Sequence, residues 1–143
     1  MTSNVAVSQG PGPELTTTPE WHSVSTRQHN AIFEGPDHAT EDLLLLLQPY
    51  LRAPAIWNWA PRPLELPASG GGAVVLRNVC ALDREEQGTL LKWLETDRKQ
   101  VVSTTTEPLF PLIAEGRFDA ALYYRLNIML MRVEATAPSS SER

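Results

Sequence analysis

Cysteine is almost absent: Cys80 is the only one in 143 residues, so no internal disulfide can form and the usage fits a reducing compartment. Positive charge is also scarce. No Lys or Arg precedes Arg27, no basic stripe follows, and the formal net charge is -5, which removes the electrostatic footprint that a phosphate backbone requires. Direct nucleic-acid binding is therefore not expected. Long apolar runs are missing too: Leu43–Leu47 falls far short of the ~20 residues needed to cross a bilayer. No charged, apolar and small-residue succession of a secretory signal opens the chain, so a cytoplasmic location with no membrane contact is expected. His22, His29 and His38 lack the close spacing of metal ligands and have no cysteine pair beside them, so no metal is expected and they read as surface or satisfied histidines. Nor is there a G-x-S-x-G elbow to support a hydrolase triad built from Ser103 and His38.

What is present suits one domain, large enough to bury about two-thirds of its unfolded surface. Residues 1–20 mix Ser, Thr, Gly and Pro with few large apolar groups and read as a disordered tail, as does 135–143; the folded unit is placed at 21–134. Within it, Ala31–Phe33 reads as a strand ending at Gly35-Pro36. A helix is expected from Ala39 or Thr40, with Leu43, Leu46 and Leu47 as its buried stripe and Pro49 as its limit. Ala55–Trp59 is a second strand. The cluster Pro61, Pro63 and Pro67 then forces a loop closed by Ser69–Gly72, and the continuous apolar run Ala73–Leu76 suits a strand covered on both faces. Asp83 and Glu86 have capping-box spacing, opening a helix that turns Leu90, Leu91 and Leu94 inward. A β-branched strand over Gln100–Thr105, a helix over Phe118–Leu126 and a strand over Ile128–Val133 complete the pattern. Strands alternating with helices predict a mostly parallel sheet with helices on both faces.

The run Gly116-Arg117-Phe118-Asp119-Ala120-Ala121-Leu122-Tyr123-Tyr124-Arg125-Leu126-Asn127 resembles the G-R-F-R-E-D-L-Y-Y-R-L-N segment of the AAA+ domain of sigma-54-dependent transcriptional activators. That resemblance implies an α/β, P-loop NTPase-like three-layer sandwich, here without the helical lid, and it allows other motifs to be aligned. The family's phosphate loop, G-E-S-G-T-G-K-E, matches Gly35-Pro36-Asp37-His38-Ala39-Thr40-Glu41-Asp42 without a gap. Two loop glycines are His38 and Thr40, and Glu41 stands at the lysine position, where a carboxylate repels phosphate with Asp37 and Asp42 beside it. The family's G-G-T-L-F-L-D-E-I matches Gly71–Val79, so the metal-binding and water-polarising acids become Arg77 and Asn78. The sensing strand A-T-T-N resembles Ser103–Thr106, with Thr106 in place of its asparagine. Of the two arginines in F-R-E-D-L-Y-Y-R-L, the first is Asp119 and only Arg125 remains. The sigma-contacting G-A-F-T-G-A insertion has no counterpart in residues 48–69.

These departures predict a non-catalytic module with no cofactor, acting in bacterial transcriptional or signalling control through a protein partner such as a full-length activator or signalling protein. The alternative is an ATP-binding regulator with weak or no hydrolysis. Arg125, Tyr123, Tyr124 and Trp59 are the candidate partner-binding residues, and monomers or weak dimers are expected rather than rings. Plainer readings stand beside these. Gly35-Pro36 reads foremost as a simple turn between strand and helix, Arg125 pairs equally well with Glu115 or Asp119, Cys80 packs as a small hydrophobe, and Trp57, Trp59 and Trp93 read as core, with an exposed groove beside the prolines as the other place for Trp59.

Overall fold

A computed structural model describes residues 3–7, 18–67, 72–97 and 99–133. Six strands form one sheet: β1 (Ser3–Val7), β2 (Ala31–Glu34), β3 (Ala55–Trp59), β4 (Ala73–Arg77), β5 (Gln100–Thr105) and β6 (Met129–Val133). Their spatial order is β1-β6-β2-β5-β4-β3 and every pairing is parallel. A parallel sheet must be covered on both faces, and the alternation within the strands shows how. Ala31, Phe33, Val75, Val102, Met131 and Val133 pack with Trp21 and Val24 of α1 (Pro19–Ser25) and with Ala39, Leu43, Leu44 and Leu47 of α2 (Asp37–Leu47). Ile32, Val74, Leu76, Val101 and Leu130 point the other way, onto α3 (Arg84–Thr96), α4 (Phe110–Ala114) and α5 (Ala120–Leu126). The chain is thus the expected three-layer α/β sandwich.

Local chemistry explains the element ends. The Asp83 carboxylate accepts from the Glu86 N–H at 2.7 Å while Glu86 Oε1 accepts from the Asp83 N–H at 3.2 Å, the capping box that starts α3. Asp119 likewise accepts from the Leu122 N–H at 2.9 Å and starts α5, so the helix begins at Ala120, and Phe118 is buried just before it.

Several expectations are corrected. Residues 1–20 are not wholly a tail: Ser3–Val7 extends the sheet by pairing with β6, from Ser3↔Met129 to Val7↔Val133, and Thr18 caps α1 through its Oγ1 and the Trp21 N–H at 3.1 Å. A five-residue strand at the sheet edge takes its order from backbone pairing, which composition does not report. The 135–143 tail and most of the Ser69–Gly72 turn lie outside the described residues. In α2 the buried leucines are Leu43, Leu44 and Leu47, whereas Leu46 is exposed. Five successive leucines carry no phase of their own, and the helix begins at Asp37, before the expected start. In α3, Leu90 and Leu94 are buried and Leu91 only partly so.

Candidate functional site

The carboxyl ends of parallel strands, near where the strand order reverses, are where α/β sheets hold ligands. Here β2 hands over to α2, and a cavity of about 220 Å³ opens between the start of α2 and the ends of β3, β4 and β5, lined by Asp37, His38, Thr40, Glu41, Trp59, Arg77 and Thr104. The position aligned with a phosphate loop thus does fall at this end of the sheet.

The loop itself is absent. β2 ends at Glu34 and α2 starts at Asp37, leaving Gly35 and Pro36 as the whole connection. The N–H groups of Ala39 and Thr40, which a phosphate loop would turn toward an anion, both donate to the Pro36 carbonyl at 3.0 Å as the first bonds of the helix. Gly35 is required for another reason: its N–H donates to the Thr105 carbonyl at 2.9 Å, and a Cβ built on it falls on the carbonyl oxygen of Val133 in β6.

Glu41 and Arg77, aligned with the lysine and with the first of the two acids, meet each other. Arg77 Nε lies 3.2 Å from Glu41 Oε1, a Coulombic contact whose N–H is not aimed well enough for a hydrogen bond. The β3–β4 register sets Arg77 opposite Trp59, so its guanidinium sits 4.8 Å from the Trp59 ring centre and 5.1 Å from that of Trp57, within cation–π range. The two replacements are therefore complementary in sign. The exposure of both side chains keeps the pair weak, and a double-mutant cycle with Glu41→Gln and Arg77→Gln is expected to return a coupling of about 0.2–1 kcal/mol in chemical denaturation. A zero or unfavourable coupling would remove the ion pair as an organising contact.

Most of the remaining candidates have structural partners. Asn78 adopts a left-handed turn at φ 62°; its N–H donates to Thr104 Oγ1 at 3.0 Å and its side-chain amide to the Ala60 carbonyl at 3.3 Å. Thr106 is exposed, 3.9 Å from Cys80 Sγ, and the partly buried Cys80 thiol donates to Asn78 Oδ1 at 3.3 Å. Asp42 is exposed and does not line the cavity. Arg125 pairs with neither Glu115 nor Asp119. It donates to the Leu94 carbonyl at 2.6 Å, satisfying a late carbonyl of α3, while Arg117 pairs with Glu115 at 3.2 Å. Tyr124 is 62% exposed, its ring 5.3 Å from that of Tyr123, which in turn lies 6.3 Å from Phe110. Phe110 belongs to this aromatic cluster and escaped sequence reasoning, because the short α4 carries Pro111 in its first turn and reads as loop. Trp93 is half-buried with Nε1 donating to the Pro67 carbonyl at 2.8 Å.

A parallel sheet between two helical layers, with a strand-to-helix junction at its switch point, defines a doubly wound α/β protein. The sequence profile of the sigma-54 interaction domain matches residues 58–135, and the chain belongs to that family. NtrX from Brucella abortus is structurally similar: its complex with ATP superposes with a TM-score of 0.66 at 19% identity, covering 87% of this chain and 39% of that one. Its complex with ADP gives 0.68 at 20% identity, covering 87% and 37%. The chain thus spans less than two-fifths of the length of either structure. Comparison with curated protein sequences gives no significant match.

Proposed function

We propose that the chain is a non-catalytic regulatory or adaptor module of bacterial transcriptional or signalling control, acting in the cytoplasm through contacts with another protein. The observation that carries this reading is the Glu41–Arg77 pair. A carboxylate stands where a cation would meet terminal phosphates, and a guanidinium where an acid would hold a metal, with Trp57 and Trp59 packed against it. A nucleoside triphosphate with Mg²⁺ would have to separate the pair, approach Asp37, Glu41 and Asp42 without a compensating lysine, and leave its metal beside Arg77. The helical start at Asp37 also withdraws the amides that would have offset that cost. The reading agrees with a chain in which no described helix is long and apolar enough to cross a membrane, and it expects monomers or weak dimers rather than rings.

The competing reading, an ATP-binding regulator with weak or no hydrolysis, draws on the likeness to NtrX, whose structures contain ATP and ADP. Thermal denaturation separates the two. Millimolar ATP with Mg²⁺ is expected to leave the melting temperature unchanged, whereas a ligand at a hundred times its Kd would add ~2.7 kcal/mol and a clear upward shift. Such a shift, or a calorimetric binding isotherm, would reverse the assignment. The double change Glu41→Lys with Thr40→Gly is expected to give no turnover, since Arg77 and Asn78 supply neither a metal ligand nor a base.

A further inference from the structure

The strand order ends at β3, so one side of its backbone faces no other strand among the described residues. The phase of the ladder shows which groups lie on that side. The Ala73 N–H donates to the Pro54 carbonyl at 3.2 Å and the Ala60 N–H to the Arg77 carbonyl at 3.1 Å, with register Ala55↔Ala73 through Trp59↔Arg77. In a parallel ladder of this phase Ile56 and Asn58 direct their N–H and C=O toward β4, which turns those of Ala55, Trp57 and Trp59 outward. Of these, only the Trp59 carbonyl is engaged, by the Arg62 N–H at 2.9 Å, among the described residues. Among the described residues, the chain that follows, up to Pro67, does not pair with the edge. Asn58 binds the Glu65 backbone at 2.6 and 2.9 Å, and Leu64 and Leu66 pack with the α3 face.

Open edges normally carry a guard, and β3 has one of limited reach: it is five residues long, with Pro54 and Pro61 at its ends. That length admits one short strand. Arg52 and Arg62, both exposed and without an ion pair among the described residues, bracket it in a chain whose net charge is -5. We infer that the β3 edge is a strand-addition site for an extended acidic segment of a partner protein, which pairs with the backbone of Ala55 and Trp57, sets its acids against Arg52 and Arg62, and lays apolar side chains beside the exposed Trp59. A second copy fits poorly. An antiparallel two-fold pairing centred on Trp57 sets Ala55 opposite Trp59 of the copy and brings the arginines flanking one strand, Arg52 and Arg62, toward those flanking the other, like charges at both ends.

This inference names partner chemistry for the protein-contact reading above and rests on it, but nucleotide titration and peptide binding succeed or fail separately. The probe is a fluorescein-labelled, end-blocked octapeptide alternating Glu with Val and Thr, followed by anisotropy at low ionic strength. It is expected to bind, and its Lys-for-Glu analogue is not. N-methylation of the amides on one edge of the peptide should weaken binding about tenfold through two lost backbone hydrogen bonds. Arg52→Glu with Arg62→Glu should abolish it without lowering the melting temperature. Hydrogen exchange supplies the readout at the strand: the Ala55 and Trp57 amides exchange quickly alone and slow on peptide addition, while Ile56 and Asn58 are slow throughout. Absence of binding at millimolar peptide, equal binding of the Lys analogue, indifference to N-methylation or unprotected Ala55 and Trp57 amides would each overturn the proposal. A dimer by light scattering with those two amides already protected would assign the edge to a second copy instead.

Discussion

Leu44→Ala is expected to lower the unfolding free energy by about 2–5 kcal/mol, whereas the same change one residue on, Leu45→Ala, should leave it within about 0.5 kcal/mol. Leu44 is 0% exposed, packed among Trp21, Phe33, Val75 and Met131 beneath the sheet, while Leu45 is 57% exposed on the outer side of the same turn. Truncating Leu44 loses its transfer free energy and leaves a cavity lined by strand residues that cannot close over it. Alanine is at least as good a helix former as leucine, so propensity cannot account for a loss at Leu44. Urea denaturation of the two variants decides the matter. Equal effects, or a larger one at Leu45, would mean that α2 is rotated about its axis so that Leu44 no longer faces the sheet.

Gly35→Ala is expected to cost about 3 kcal/mol or more, at or beyond the upper end of what one added methyl does in a packed interior. The methyl group would meet the carbonyl oxygen of Val133, which is backbone and is tied into the sheet by the pairing of β6 with β1 and β2. Relief would require β6 to move away from β2, disturbing the ladder that joins Ala31–Glu34 to Met129–Arg132. Gly88 is the control of opposite sign. It lies on the exposed face of helix α3 with nothing within 4 Å of an added Cβ, so Gly88→Ala should stabilise by about 0.5–1 kcal/mol. If Gly35→Ala melts like the parent protein, the approach of β6 to the β2–α2 junction is looser than described, and the reading of Gly35 as a packing requirement fails.

The places where the sequence could be read are those where local chemistry is sufficient. Ala73–Leu76 is apolar at every position because both of its faces are covered, and Asp83 with Glu86 closes a capping box within a single turn, so both elements were legible without the fold. The run Leu43–Leu47 was legible only as helix, since a uniform run contains no difference from which to choose its buried side. Arg125 stood out for a different reason. Its type and its place beside Tyr123 and Tyr124 suggested partner contact, yet its nearest acceptor is the Leu94 carbonyl, 31 residues away, which no spacing rule could have supplied.

By itself the sequence determined the class of the fold and put a carboxylate at Glu41, a guanidinium at Arg77 and an amide at Asn78, side chains whose charge belongs to their positions whatever surrounds them. Only the tertiary structure decided that two of these side chains form one arrangement: Glu41 lies one turn into α2 and Arg77 ends β4, and the sheet brings them to 3.2 Å with Trp59 in register beside them. The same holds for the connection that leaves no phosphate loop, the glycine pressed against Val133 and the outward amides of β3. Each depends on the phase of a helix or a strand relative to a neighbour distant in sequence, and that phase is set by burying apolar surface on both faces of the sheet at once.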